Sequence, residues 1–275
     1  MAAVRINPGN IGGPDKVEQV VTAAKKAGIA MRIGANSGSL PKHLYSLAQQ
    51  DQAEALVAAA MEEVELLEKL DYRDFKISVK ATHVPTMIRA YRMLAAKVPY
   101  PLHLGVTEAG TEFAGGIKSA VGIGTLLADG IGDTLRVSLS AEPEEEVHVG
   151  WEMLKSLGIR HRGVKIISCP SCARQGFNVI ETVATLEERL AHIETPLSLS
   201  IIGCVVNGPG EAMMTDIGVT GGGNRRHMVY NAGKTDHTVD GQSMVEHIVE
   251  LVEAKARIIQ AELDAAKAAA KQAAE

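Results

Sequence analysis

Between residues 4 and 157 the chain repeats one pattern five times: a short apolar run, a polar or glycine-bearing end, then a stretch whose apolar residues recur at helical spacing. The first run, Val4-Arg5-Ile6-Asn7-Pro8-Gly9-Asn10, reads as a strand and leads to a helix over 15–27. Further strands are predicted over 31–35, 75–79, 102–106 and 134–139, with helices over 51–70, 85–96 and 117–128 and a last one opened by Pro143 and Glu144 to Glu146. In the helix over 51–70, Leu56, Val57, Ala60, Met61, Val64 and Leu67 form the buried stripe, and Glu62, Glu63, Glu65 and Glu68 are expected on the surface. Strands alternating with helices at this spacing build right-handed βαβ units and therefore a parallel sheet.

The length of 275 residues allows one large domain or two modest ones. Hydrophobic residues make up 46% and aromatics only 3%, so aliphatic side chains and alanine must fill the core, which suits helices packed closely on parallel strands. A net charge of -5 argues against a nucleic-acid protein. Basic residues gathered in one place would instead point to a small anion. No apolar run approaches the length of a membrane span, and no charged n-region precedes an apolar core, so a cytoplasmic protein is expected. In that compartment three cysteines more often signal metal or redox chemistry than disulfides.

In parallel-sheet folds, function gathers at the carboxyl ends of the strands. Those ends carry Arg5 and Asn7, Arg32 and Asn36, Lys80, Glu108, and Arg136 with Ser138. Residues two apart share a face of a strand, so Arg5 goes with Asn7 and Arg136 with Ser138. Any one of these cations could cap a helix or pair with a surface acid. Four at equivalent places on separate strands of an acidic chain are poorly explained that way. Such a set suits a phosphate or diphosphate, because guanidinium forks match phosphate oxygens and lysine adds a point charge. Glu108 is then the natural proton donor or acceptor, with a salt bridge to one of the arginines as its structural alternative.

Beyond a polar, basic connector over 158–163, which marks a domain boundary, the pattern changes. Two apolar runs, 164–167 and 197–202, end in Ser168-Cys169-Pro170-Ser171-Cys172 and Gly203-Cys204-Val205-Val206-Asn207-Gly208-Pro209-Gly210-Glu211, which read as sites at the ends of buried strands. A C-x-x-C pair with one remote cysteine admits an iron-sulfur cluster, a zinc site lacking its fourth Cys or His, or a dithiol redox pair that leaves Cys204 unused. The loop after Cys204 favours the cluster. Gly203, Gly208 and Gly210 would allow close backbone approach to a bulky cofactor, and Glu211 is the nearest following side chain able to ligate iron. A helix is predicted over 179–192, a loop after Glu211, a hairpin over 230–239 and a terminal helix over 243–263, with an Ala- and Lys-rich tail over 264–275 that should fray. The histidines show no paired ligand spacing.

Taken together, Arg5 to Gly12, Arg32 to Ser39, Phe75 to Lys80, Leu102 to Gly110, Gly130 to Ser138, Cys169 to Cys172 and Ile201 to Ala212 resemble the bacterial 4-hydroxy-3-methylbut-2-enyl diphosphate synthases of the methylerythritol phosphate route to isoprenoids. The resemblance spans nearly the whole chain. It implies an α/β fold: a TIM-type barrel over 1–160 that binds substrate, then a smaller α/β domain over 161–263 with a 4Fe-4S cluster. It implies Cys169, Cys172, Cys204 and Glu211 as cluster ligands, the carboxylate being displaced by substrate. It implies Arg5, Asn7, Arg32, Asn36, Lys80, Arg136 and Ser138 as the substrate and diphosphate pocket, and Glu108 as acid or base. The implied reaction is two-electron reductive opening of 2-C-methyl-D-erythritol 2,4-cyclodiphosphate with loss of water, fed by ferredoxin or flavodoxin. A homodimer, in which the barrel of one subunit faces the cluster domain of the other, would complete each site.

The family's barrel has eight strands, and this chain enters at what resembles the fourth. Five βα units, resembling strands 4 to 8, make only a partial TIM-type barrel. Either an amino-terminal truncation, a mis-called start or a separate completing fragment is therefore expected, and the chain alone should be poorly soluble or inactive. Two other readings compete: a non-catalytic α/β interaction module pinned by zinc at the cysteines, and a phosphosugar barrel without redox chemistry.

Overall fold

In a computed structural model, residues 3–7, 11 and 13–274 are described. The expected strand over 4–10 therefore lies partly outside the described residues, as do Gly12 and the end of the tail. The chain divides into two units, Met1–Arg160 and His161–Glu275.

The first unit runs β1 (Ala3–Arg5), α1 (Pro14–Ala27), β2 (Ala30–Asn36), α2 (Tyr45–Gln50), α3 (Gln52–Lys69), β3 (Phe75–Lys80), α4 (Val84–Ala95), β4 (His103–Leu104), α5 (Glu112–Ala128), β5 (Thr134–Leu135) and α6 (Pro143–Ser156). β1, β2 and β3 pair in parallel, and so do β4 and β5; a parallel bridge between Ile77 and Leu102 joins the two groups in chain order. Among the described residues β1 and β5 keep unpaired outer edges, and no barrel closes. The regular parts of β4 and β5 are shorter than the apolar runs that announced them. Beyond Leu104 the ladder is reduced to single bonds, such as Arg136 N–H to the Leu104 carbonyl at 3.0 Å.

Helix α3 shows how the sequence builds this layer. Asp51 caps it by accepting from the Glu54 amide at 3.1 Å and pairs with Arg89 at 2.6 Å, and Leu56, Val57, Ala60, Val64 and Leu67 are buried against the sheet. Glu63, expected on the surface, is buried at 7% exposure. Its position explains this, because residues 56, 60, 63 and 67 fall on one helical face, so the acid points with the apolar stripe. Helix α5 begins at Glu112, earlier than predicted. Its Gly115 and Gly122 permit close packing, since a Cβ there would lie 2.7 Å from Leu139 and 2.5 Å from Met87.

The second unit comprises β6 (Val164–Ser168), α7 (Val179–Leu190), β7 (Leu197–Ile202), α8 (Gly208–Ala212), β8 (Ile217–Thr220), β9 (Arg226–Asn231), β10 (Lys234–Asp240) and α9 (Met244–Ala274). The sheet order is β10-β9-β8-β7-β6, parallel from β6 to β8 and antiparallel from β8 to β10. β8, at the sheet centre and buried throughout, falls where a loop was predicted, because four residues bounded by glycines are too few to show a period. β6 is an edge strand and only half-buried, so just β7 of the two cysteine-bearing strands is a buried one. The hairpin turns at Ala232 and Gly233, both with positive φ (48° and 77°), the geometry of a tight two-residue connection. The tail expected to fray is helical through Ala274, continuous with α9; alanine, lysine, glutamine and glutamate are all strong helix formers. Leu186, Leu199, Ile201, Val219, Val229, Ile248 and Val252 form the core of this unit, and Arg189 clamps Glu246 through two bonds of 2.7 and 3.0 Å. Among the described residues no helix is long and apolar enough to cross a membrane.

Candidate functional site

Strand register brings the cations of the first unit together. Arg5 lies opposite Arg32 across β1 and β2, and Asn36 lies opposite Lys80 across β2 and β3. A cavity of about 60 Å³ at these strand ends is lined by Arg5, Arg32, Asn36, Ser78, Lys80, Thr107, Arg136 and Ser138. Ser78 and Thr107 escaped the sequence reading. Ser78 lies two residues before Lys80 on the same strand face, so the alternation that selected the others would have found it; Thr107 adjoins Glu108, which alternation would put on the opposite face. With its amide oxygen turned inward, Asn36 accepts from Arg5 Nη2 at 3.2 Å.

Two predicted members stand outside the cavity lining. Asn7 donates to Ser39 Oγ at 3.1 Å. Glu108 is exposed, adopts a left-handed backbone (φ 52°) and accepts from Thr82 Oγ1 at 3.4 Å. Among the described residues Arg136 alone of the four cations comes within ion-pair distance of a carboxylate, that of Glu146 at 3.9 Å, which also accepts from the Leu139 amide at 2.9 Å.

Burial and like charge set the electrostatics. Lys80 is 6% exposed, and its ammonium is pushed down to about 7 by burial and then by Arg32, Arg136 and Arg5. Arg32 is lowered by burial, Arg5 and Arg136. Beneath them His103 is buried, with Nδ1 2.9 Å from Thr134 Oγ1 and Nε2 without a partner, and burial with the nearby cations holds it down to about 3. Behind β2, Glu63 is raised to about 8 by burial, despite a bond from the Gly34 amide and the attraction of Arg5. Four cations with a single carboxylate, Glu146, beside them leave the arrangement short of negative charge, which an oxyanion entering the cavity would supply.

The thiols belong to the second unit. Cys169 follows β6 and is half-buried, Cys172 is exposed and Cys204, at the end of β7, is buried. The Gly203 amide donates to Cys169 Sγ at 3.3 Å, which brings the two thiol loops side by side. The Cys204 thiol is held below its usual range by the backbone N–H groups of Asn207 and Val206, and further by Arg174. Glu211 is exposed in the first turn of α8. Two of the three glycines here are required by protein packing. A Cβ on Gly203 would lie 2.7 Å from Val179 and one on Gly208 2.5 Å from Thr220, while Gly210 alone faces open space. Among the described residues no three His, Cys, Asp or Glu side chains are grouped closely enough to hold a metal ion. The chemistry of the donor set nevertheless fits an iron-sulfur cluster: three thiols, one of them acidified by backbone amides, with a solvent-facing carboxylate following.

An open parallel βα sheet with a polycationic cavity, followed by a thiol-bearing mixed-sheet unit, defines a two-unit α/β protein. Residues 1–151 match the model of the GcpE TIM-barrel domain, and residues 165–254 match that of the GcpE protein C-terminal domain. Relatives named 4-hydroxy-3-methylbut-2-en-1-yl diphosphate synthase (flavodoxin) include that of Gluconacetobacter diazotrophicus, 64% identical over 98% of this chain and 70% of that protein. Those of Granulibacter bethesdensis (65%, over 94% and 67%) and Zymomonas mobilis (59%, over 98% and 71%) are similar. The chain belongs to the GcpE family.

Proposed function

We propose that this chain is a 4-hydroxy-3-methylbut-2-enyl diphosphate synthase, the oxidoreductase that opens 2-C-methyl-D-erythritol 2,4-cyclodiphosphate with two electrons and loss of water in isoprenoid synthesis. The names of relatives at about 60% identity support the activity. The observation that carries the substrate assignment is the cavity lined by Arg5, Arg32, Lys80 and Arg136. In this reading the three guanidiniums and the Lys80 amine grip the diphosphate and stabilise the charge that grows on it as it leaves C–O bonding. Asn36 and Ser138, with Asn7 at the rim, orient it by hydrogen bonding. Glu108, exposed beside Thr82, is the proton donor or acceptor.

Cys169, Cys172, Cys204 and Glu211 are the residues that would hold a 4Fe-4S cluster, which when bound supplies electrons and a Lewis-acidic iron. Flavodoxin, named for the relatives, is the proposed donor, with ferredoxin as the alternative. The reading also places the enzyme in the cytoplasm as a homodimer whose partner subunit completes each site.

Anaerobic reconstitution with iron and sulfide tests this. The expected product is brown and bleaches in air, and turnover of the cyclic diphosphate with reduced flavodoxin is expected of a version extended by three βα units rather than of this chain alone. Cys204→Ser should lose both iron and turnover. A colourless zinc protein, or retention of iron after Cys169, Cys172 and Cys204 are all replaced, would refute the cluster assignment. Turnover that survives Cys204→Ser would favour a cavity working without redox chemistry.

A further inference from the structure

Four basic side chains and no acidic one line the cavity. Three are guanidiniums, which keep their protons across the whole working pH range. Lys80 is the fourth, and its amine is the only group there that can relieve the mutual repulsion by giving up a proton. Its place is tightly defined: a Cβ on Gly105 would lie 2.7 Å from Nζ and 2.9 Å from the Arg136 carbonyl oxygen. The amine therefore rests over a bare stretch of chain between β3 and the end of β5.

The charged and titratable groups around it come from every neighbouring element. Arg5 stands on β1, Arg32 on β2, Lys76 on the amine's own strand, His103 on β4 and Arg136 beyond β5. Glu146 of α6 is the one carboxylate acting on Lys80, and it also approaches Arg136. His103 adds no further cation, because burial and the neighbouring cations hold it neutral.

We propose that this cavity takes up one proton on Lys80 each time it captures a doubly charged oxyanion, so that the site recruits its ligand and a proton together. The inference rests on the reading of the cavity as the diphosphate site and adds to it a linked proton. Burial first and then the three guanidiniums hold Lys80 near 7; two negative charges beside Nζ oppose both, and the ammonium regains its stability. The proton comes from solvent, and no bond of the ligand changes. By linkage, affinity falls about tenfold for each pH unit above 7, until the bound ammonium itself titrates.

Sulfate is a suitable probe, because it stays doubly charged throughout the range and neither gives nor takes protons. Calorimetric titration of the whole chain at pH 6, 7.5 and 9, in two buffers of different ionisation enthalpy, reads proton uptake directly. The expected result is uptake approaching one proton per sulfate at pH 9 and near zero at pH 6, with affinity dropping as above. Lys80→Arg, which keeps the charge but cannot titrate, should bind with a flat pH profile and no uptake. Sulfate binding without uptake in the wild type, or uptake that persists in Lys80→Arg, would overturn the inference while leaving the cavity as an anion site. If neither sulfate nor inorganic pyrophosphate binds at pH 6, the cavity reading itself fails. Should Lys80→Arg not fold, carbon-13 titration of the wild-type lysine side chains decides. A lysine titrating near 7 that moves upward with sulfate supports the proposal, and the absence of any such lysine overturns it.

Discussion

Replacing Lys80 by methionine removes the titratable cation from the cavity but keeps an unbranched stem to fill the space. The ammonium sits at about 7 in the folded chain against an ordinary value of 10.5, so folding with Lys80 charged costs up to about 5 kcal/mol. Between those two pH values the unfolded chain holds a proton that the folded chain lacks. Stability therefore falls as pH drops through that window and levels off below about 7. Methionine has no such dependence. Lys80→Met should be more stable than wild type by roughly 2–4 kcal/mol at pH 6, with the gap closing towards pH 10. Trp151 is the only tryptophan and lies in α6 of the same unit, so urea unfolding followed by its fluorescence reads this unit. The same variant should bind sulfate far more weakly, a trade of stability against ligand capture at one side chain. Equal stabilities at pH 6 and at pH 10 would refute the reasoning, because Lys80 would then have to be solvated or paired in the folded chain.

Glu63→Gln should behave in the complementary way. The buried acid is raised to about 8, so wild-type stability is full below about 4.5 and is lost as pH rises through 8; the amide should gain a few kcal/mol at pH 9 and nothing at pH 4, by the same fluorescence assay. Gly34→Ala should cost about 3 kcal/mol or more. Its φ is 146° and the new Cβ would lie 1.8 Å from the Ser78 carbonyl oxygen, so an unchanged urea midpoint would contradict this geometry. Leu186→Ala, at a fully buried position, should cost about 2–5 kcal/mol. The loss should be visible by far-ultraviolet circular dichroism.

Local pattern carried much of this molecule. The βα alternation, the stripe of α3, and the placing of Arg5, Asn36 and Lys80 at the last residues of β1, β2 and β3 follow from periods of 3.6 and 2, which adjacent residues record by themselves; Arg32 instead falls third of seven residues in β2, and Arg136 and Ser138 just beyond β5. Motif chemistry singled out Cys169, Cys172 and Cys204, and the structure brings the loops of Cys169 and Cys204 side by side. Helix propensity should have kept 264–274 in α9, and the low-complexity composition misled there.

Other features depend on partners distant in the chain. β8 is a strand because β7 and β9 flank it, and β6 is half-exposed because it has a neighbour on one side only. Glu63 is buried because β2 lies across the face on which it falls, and Gly203 and Gly208 are glycines because Val179 and Thr220 press against them. The pressure on Lys80 is likewise tertiary. Sequence names the four cations, but only the parallel register of β1 to β3 and the packing of β5 bury Lys80 and bring three guanidiniums near it; burial first and Coulomb repulsion second lower its ammonium, and both depend on place in space and not on order along the chain.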